Sequence, residues 1–383
     1  MRKRHAVPLA LAAALCIAWP QAVSAASLRT ESQPVILTSR PAYYGFTKTV
    51  TLTNKGRNAA LNVQARVVLL APTSAYAHVN LVGYSKKPRS THRDKYGNLI
   101  ALYTWSSLKP GRSVTIKLHY QATSSDISYK LPRTYPPYNE NSRTYQRYTN
   151  PKLEASKVDT GAPAIIALDN RVAGGASSPY QRALDLFNWV VYHIRYNYSL
   201  KSSGSALATL DSREGICSNI AELYVGMLRT DHIPARLIDG YVTNNGAGQS
   251  GFHQWVEFYL PHTGWVVADP TWGRYGYFAA LQDDWHIPLY DGIRPDISVD
   301  WQYVKTSTQA SPYIAISYHY HFVTEQSPSE SRHVKLPLVS VRPPVAKHQA
   351  SLATARSFGQ DWLGIRTFFH QYVLRLKIVL ESL

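Results

Sequence analysis

Among 383 residues there are two cysteines, and only one of them, Cys217, lies beyond a leader-like N-terminus that holds Cys16. Cys217 sits in Arg213-Glu214-Gly215-Ile216-Cys217-Ser218-Asn219-Ile220-Ala221-Glu222-Leu223, where an apolar run of helical period follows the thiol. That pattern puts the sulfur in the first turn of a buried helix. Unpaired backbone N–H groups and the positive end of the helix dipole there favour thiolate over thiol. A thiolate does chemistry only beside a base. Two later runs offer one: Gly251-Phe252-His253-Gln254-Trp255-Val256-Glu257-Phe258, and Gly264 to Trp272, which contains Asp269-Pro270-Thr271. A turn at Pro261-His262-Thr263-Gly264 makes these neighbouring strands and lays His253 and Asp269 on one face. A carboxylate beside an imidazole fixes its tautomer and supports the imidazolium, which in turn holds the thiolate. Each residue alone has a plain reading: a small core residue, a strand histidine, a turn opener before proline. The set of three carries the chemical reading.

Other chemistries find less support. There is no His-Glu-x-x-His and no second thiol for a metal, and His319 and His321, on one face of a strand, read as structural. No metal or other cofactor is expected, and sparse acidic clustering argues against calcium regulation. Trp255, Glu257 and Arg236 read as scaffold, with Glu257 a candidate support for the histidine and Trp255 placed beside it. A side chain ahead of the helix, Tyr196, is a candidate oxyanion donor alongside the Cys217 N–H.

The elements that must position these groups differ along the chain. Over 27–130 the pattern alternates, as in Thr47, Thr49 and Thr51 against Val50 and Leu52, or Val114, Ile116, Leu118 and Tyr120, which predicts half-buried strands. Turns at Asn54-Lys55-Gly56, Asp94 to Asn98 and Lys109-Pro110-Gly111 separate them, and the whole reads as a β-sandwich module. Residues 131–150 form a Pro- and Tyr-rich linker whose tyrosines (Tyr135, Tyr138, Tyr145, Tyr148) pack onto the neighbouring domain. Over 151–325 the segment reads as α+β and carries the chemistry. Two helices (Ile165 to Val172, Ala183 to Ile194) precede the Cys helix, which Asp211 or Ser212 caps and Pro234 stops. Strands follow at 235–242, 252–260, 265–269 and 313–322. A polar, Pro-containing linker at 326–350 leads to 351–383, where Phe358, Trp362, Ile365, Phe369, Tyr372, Leu376, Val379 and Leu383 form a helical apolar stripe. That amphipathic helix wants a partner: this protein, a second copy, or an anionic membrane surface. It carries too many charges to span.

Residues 1–25 read as a cleavable signal peptide, with Arg2, Lys3 and Arg4 ahead of an apolar stretch and Val23-Ser24-Ala25 at the cleavage site. Export leaves Cys217 without a disulfide partner, so stability rests on packing. The formal charge of +17 suits anionic envelope polymers or lipid headgroups more than nucleic acid, which an exported protein rarely meets.

The motifs Gly215-x-Cys217, Leu228-Arg229-x-x-x-Ile233-Pro234-Ala235-Arg236, Gly240-Tyr241, His253-x-Trp255-Val256-Glu257 and Gly264-Trp265-x-x-x-Asp269-Pro270-Thr271 together resemble the bacterial transglutaminase-like superfamily. The resemblance covers roughly 148–306, and Asp94-x-x-Gly97-Asn98 with Leu108-Lys109-Pro110-Gly111 resembles the N-terminal module of bacterial members. It implies a papain-like core with Cys217 as nucleophile, His253 as base and Asp269 as orienting carboxylate. Asn219 and Ile220 depart from the acidic residue and aromatic that many relatives carry, which leaves the triad intact and puts the pocket wall in question. The expected function is an exported thiol enzyme acting on amide bonds of protein or peptide substrates, hydrolytic as peptidase or amidase. A protein-cross-linking transglutaminase is the alternative, and a non-catalytic envelope binding module is the alternative of another class.

Overall fold

Alternating burial turns the first third of the chain into sheet. The structure, a computed structural model, describes residues 34–39, 41–200, 204–243, 250–303 and 312–325. Eight strands come first: β1 (Val35–Thr38), β2 (Ala42–Asn54), β3 (Ala60–Leu70), β4 (Ala77–Tyr84), β5 (Ser90–Arg93), β6 (Leu99–Leu108), β7 (Ser113–Ser124) and β8 (Ile127–Lys130). In β2 every second residue from Tyr44 to Asn54 is buried, while Thr47, Thr49 and Thr51 take the outer side. Strand β7 alternates in the same way. Their inward residues meet Val63, Ala65 and Val67 of β3 and Ala101 and Tyr103 of β6 in one apolar core, the interior of a β-sandwich.

Helical periodicity takes over next. The chain passes through α1 (Arg143–Tyr148), α2 (Ala155–Val158), α3 (Pro163–Val172), α4 (Pro179–His193), β9 (Arg195–Tyr196), α5 (Ala206–Ser212), β10 (Glu214–Gly215) and α6 (Cys217–Thr230). The seven residues of α5 are too few to show a period, so a helix between the two expected ones and the Cys helix escapes sequence reading. Helix α6 is buried at every position from Asn219 to Arg229, the mark of a core helix with no solvent face. Strands β11 (Ala235–Val242), β12 (Gly251–Leu260), β13 (Gly264–Ala268), β14 (Ala280–Leu281) and β15 (His286–Asp291) follow. They supply an antiparallel sheet of order β13-β12-β11-β15 that packs against α6 around Leu223, Met227, Leu237, Val256 and Phe258. Gly240 of β11 lies flat under Trp255, whose ring would stand 2.1 Å from a Cβ at that position.

The last two described strands, β16 (Ile297–Gln302) and β17 (Ile314–Glu325), leave this core. Sequence reading groups them with the segment 151–325, but their hydrogen bonds complete the sandwich sheets, in the orders β16-β3-β6-β5 and β17-β2-β7-β4. Each covers an edge that would otherwise stay unpaired. Sandwich and helix-bearing core fall in one compact unit. The segment 131–150 is part of that seam: the Tyr138 hydroxyl donates to the Tyr259 carbonyl at 2.8 Å, and buried Tyr148 meets Trp265 edge-on at 5.0 Å. The leader 1–25, the polar stretch 326–350 and the apolar stripe 351–383 lie outside the described residues.

The seam is rich in buried charge. Lys48 of β2 pairs with Asp296, Arg229 of α6 with Glu154 at 2.9 Å, and Arg236 of β11 with Glu257 at 2.5 Å and Asp291 at 2.8 Å. Burying such pairs gains little net stability, whereas removing one partner leaves a costly lone charge. The Asp94-to-Asn98 turn clips the end of β15. Asp94 accepts from the Tyr96 and Asn98 N–H groups, Gly97 takes φ +96, and the Asn98 amide exchanges hydrogen bonds of 2.8 and 2.9 Å with the Asp291 backbone.

Candidate active site

The thiol is delivered by a short piece of strand followed at once by a helix. After α5, Arg213 turns the chain at φ +59, and β10 runs parallel to β9, pairing Gly215 with Tyr196. Helix α6 then begins at Cys217. Asp211 or Ser212 does not cap it. The Asn219 side-chain oxygen Oδ1 accepts from the Ile216 N–H at 3.2 Å, while the Ser212 hydroxyl accepts from the Glu214 N–H one element earlier. Asn219 is thus a cap and Ile220 a core residue, both buried. The parallel bridge also explains Tyr196. Its hydroxyl hydrogen-bonds with the Cys217 thiol and backbone N–H, and burial together with the neighbouring Cys217 pushes its pKa up to about 12.

The imidazole comes from the adjoining sheet. His253 of β12 contacts Asp269 through Nε2 at 2.7 Å, and Asp269 follows directly on β13, the strand paired with β12. Its other carboxylate oxygen accepts from the Thr271 N–H at 2.8 Å. With Nε2 taken, Nδ1 is left for the thiol, to which His253 also hydrogen-bonds. Trp272 stacks on the imidazole at 5.0 Å and 17°, and His253 is 9% exposed while Cys217 is half-buried. The thiol is therefore partly exposed, and its imidazole partner is buried.

The electrostatics follow from this packing. Burial opposes charge on all three groups, and their mutual interactions override it. The hydrogen bond and charge of His253, with help from the Gln254 N–H, hold the Cys217 thiol below its ordinary value despite burial and the opposing Asp269 charge. Burial would lower His253, but Asp269 and Cys217 push it up to about 10. Asp269 lies well below the carboxylate range, since His253 and His286 outweigh its burial. The three groups stand in a row in which the charge of each favours the ionised form of the next.

Of the other residues singled out by sequence, Trp255 and Glu257 play supporting parts. The Trp255 indole N–H donates to the Tyr76 hydroxyl at 2.8 Å, which ties the site sheet to the sandwich, and Glu257 binds Arg236 at the seam. His319 and His321 lie on β17, opposite Thr49 and Thr47. Sequence reading misses three neighbours of the site: Trp272, Asp283 and His286. Trp272 follows the Asp269-Pro270-Thr271 motif closely enough to have been suspected. His286 and Asp283 arrive from a later strand with no local signal. The donor atoms of His253, Asp269 and His286 lie within 4.8 Å of one another. Asp269 is already engaged by the His253 ring and the Thr271 N–H, with His286 Nε2 at ion-pair distance, and no metal is assigned to the cluster.

Comparison with known proteins finds a family match within this core. Residues 166–270 match the transglutaminase-like superfamily core, so the segment that carries Cys217, His253 and Asp269 is a transglutaminase-like domain. The uncharacterized protein YebA of Bacillus subtilis is 36% identical over 80 residues, 16% of this chain and 10% of that protein. A protein-glutamine gamma-glutamyltransferase of Pseudomonas aeruginosa is 34% identical over 93 residues, 21% of this chain and 14% of the relative. The chain thus spans a small part of the length of both. A candidate cysteine protease from Cytophaga hutchinsonii shares the fold, at a TM-score of 0.53 and 14% identity over 78% of this chain and 95% of the other. The fold is accordingly mixed and sheet-rich, with a transglutaminase-like core behind an N-terminal sandwich.

Proposed function

We propose that this transglutaminase-like chain is an exported cysteine-dependent enzyme that cleaves amide bonds of protein or peptide substrates through an acyl-enzyme. One observation carries the reading: His253 stands between a thiol drawn below its ordinary range and a carboxylate at 2.7 Å. The Cys217 thiolate attacks the amide carbonyl carbon, and the carbonyl electrons move to oxygen. That oxyanion takes hydrogen bonds from the Cys217 N–H and the Tyr196 hydroxyl, both at the mouth of α6. As the tetrahedral intermediate collapses, the C–N bond breaks and His253 gives its Nδ1 proton to the leaving amine. The acyl group remains as a thioester. An acceptor then attacks it, losing its proton to His253, and the Cys217 thiolate leaves. Asp269 stays ionised throughout and holds the ring in place.

Water as acceptor gives hydrolysis, which the half-buried thiol and the 86% exposed Tyr198 beside Tyr196 favour, since the rim is wet. A lysine amine as acceptor gives cross-linking, the activity printed in the name of the Pseudomonas aeruginosa relative. The test is incubation with a protein bearing Gln and Lys together with a tagged amine. Chain cleavage or glutamine deamidation without tag incorporation supports the hydrolase. Tag incorporation without either would move the assignment to amine transfer, and no reaction beyond that of Cys217→Ala would leave a binding module. Export through residues 1–25 is supported by the leader pattern there, and the mass of the mature N-terminus tests it.

A further inference from the structure

Behind Asp269 lies a second imidazole that no step above uses. His286, the first residue of β15, is 0% exposed. Its Nδ1 contacts Asp283 at 2.8 Å, and its Nε2 faces the same Asp269 oxygen that His253 holds, at 3.5 Å. That separation is beyond good hydrogen-bond geometry and within ion-pair range. Asp283 is itself gripped from two further sides, by the Tyr277 hydroxyl at 2.5 Å and the Trp285 N–H at 2.8 Å. The rings of Trp255 and Trp272 stand edge-on to the His286 ring at 4.9 and 5.1 Å and wall it from water. The result is one buried row: Cys217, His253, Asp269, His286, Asp283, Tyr277.

The charge count of that row is informative. With His286 neutral, two buried carboxylates and a thiolate would face a single imidazolium. With His286 charged, three anions face two cations, and each carboxylate has one of its own. The groups that face His286 are Asp283 on its own approach, Asp269 after β13, His253 of β12 and Tyr277. Tyr44 of β2 stands behind, donating to the Asp284 carbonyl at 3.0 Å. In this setting burial lowers the His286 pKa, and Asp283 and Asp269 overcome that and raise it. The backbone of the segment is also fixed from outside. The Ser124 hydroxyl of β7 donates to the His286 carbonyl at 3.0 Å, and the Thr243 N–H to the Trp285 carbonyl at 3.1 Å. The sandwich thus holds the strand start that carries His286.

We propose that His286 is a positioning residue: a buried imidazolium, anchored by Asp283 and by the sandwich, that fixes the Asp269 carboxylate and thereby keeps His253 aligned with the Cys217 thiolate. This rests on the reading of Cys217 and His253 as a reactive pair. The test is the pH dependence of Cys217 alkylation by iodoacetamide, which needs no substrate, in the wild type, His286→Gln and His286→Phe. Removing a nearby cation and loosening Asp269 both make the thiolate harder to form. The acid limb of the rate profile should therefore move up by about one pH unit in His286→Phe, an about tenfold slower alkylation near the foot of the limb. His286→Gln keeps an N–H donor without the charge and should fall between. Variants that melt cooperatively yet keep the wild-type limb would overturn the proposal, because a purely structural role moves the melting temperature and leaves the limb alone. If neither variant folds, 15N-histidine spectra of the wild type decide: a His286 ring protonated on both nitrogens at neutral pH supports the proposal, and a neutral ring overturns it. A wild-type profile like that of a free thiol would instead sink the reading of Cys217, so the two failures are distinguishable.

Discussion

The seam and the site both bury charge, and they do so with different residues. At the seam, Lys48, Arg229 and Arg236 meet Asp296, Glu154, Glu257 and Asp291. At the site, the cations are His253 and His286, and the row ends in a half-buried thiol. An arginine keeps its proton at any pH the protein meets, so a pair built on it stores registry and moves no charge. An imidazole can take and give a proton near neutrality, so a row built on it can pass charge to a substrate. The contrast separates buried charge that fixes elements in register from buried charge placed beside a thiol, and single substitutions should pull the two apart.

The largest expected effect is at the end of the row. Cys217→Ala should abolish alkylation at this position and all amide cleavage while leaving the melting temperature close to wild type, as measured by labelling mass spectrometry and a thermal melt. Asp269→Asn keeps the shape and removes the charge that orients His253. It should cost about 10⁴-fold in turnover, with a far smaller change in stability. Arg236→Met should behave in the opposite way. It strands Glu257 and Asp291 and should cost about 3–5 kcal/mol in a denaturant melt, while alkylation of Cys217 in the folded fraction stays within a few-fold. A matching loss of thiol reactivity in Arg236→Met would erase the distinction between seam and site.

The smallest effect concerns a charge that belongs to neither set. Glu222 of α6 is buried, one of its carboxylate oxygens has no hydrogen-bond partner, and burial pushes its pKa up to about 8 against the pull of Lys157. A carboxyl raised on folding leaves stability intact below the ordinary carboxylate range and erodes it as pH climbs toward the folded value. Glu222→Gln should therefore stabilise the fold by about 1–2 kcal/mol at pH 8 and change little at pH 4, in urea melts at the two pH values.

How much of this was legible in the sequence depended on distance along the chain. Cys217 announced itself by the helical run after it, and His253 and Asp269 by a hairpin short enough to read, with its turn at His262 and Gly264. The strands of the sandwich were equally clear, because alternation is a local signal. What sequence could not supply was assembly. Strands β16 and β17 carry the same alternation as any strand, and only the open edges of the sandwich decide where they pair. The role of Asn219 in capping the N–H of Ile216 depends on a backbone geometry that its neighbours set. His286 lies 33 positions after His253, and nothing around it hints that Asp283 and Asp269 will enclose its ring. The sandwich carries no cluster of catalytic residue types, yet Tyr76, Ser124 and Tyr44 hold Trp255 and the start of β15 in place.

The central claim is that Cys217 rests as a thiolate because His253 is charged beside it. The direct measurement is the rate of carboxamidomethylation of Cys217 against pH in the wild type and in His253→Ala. The account predicts fast alkylation that persists well below the ordinary thiol range in the wild type, and an acid limb that moves up toward that of a free cysteine when His253 is removed. Coincident profiles, both rising only near the pKa of a free thiol, would contradict it.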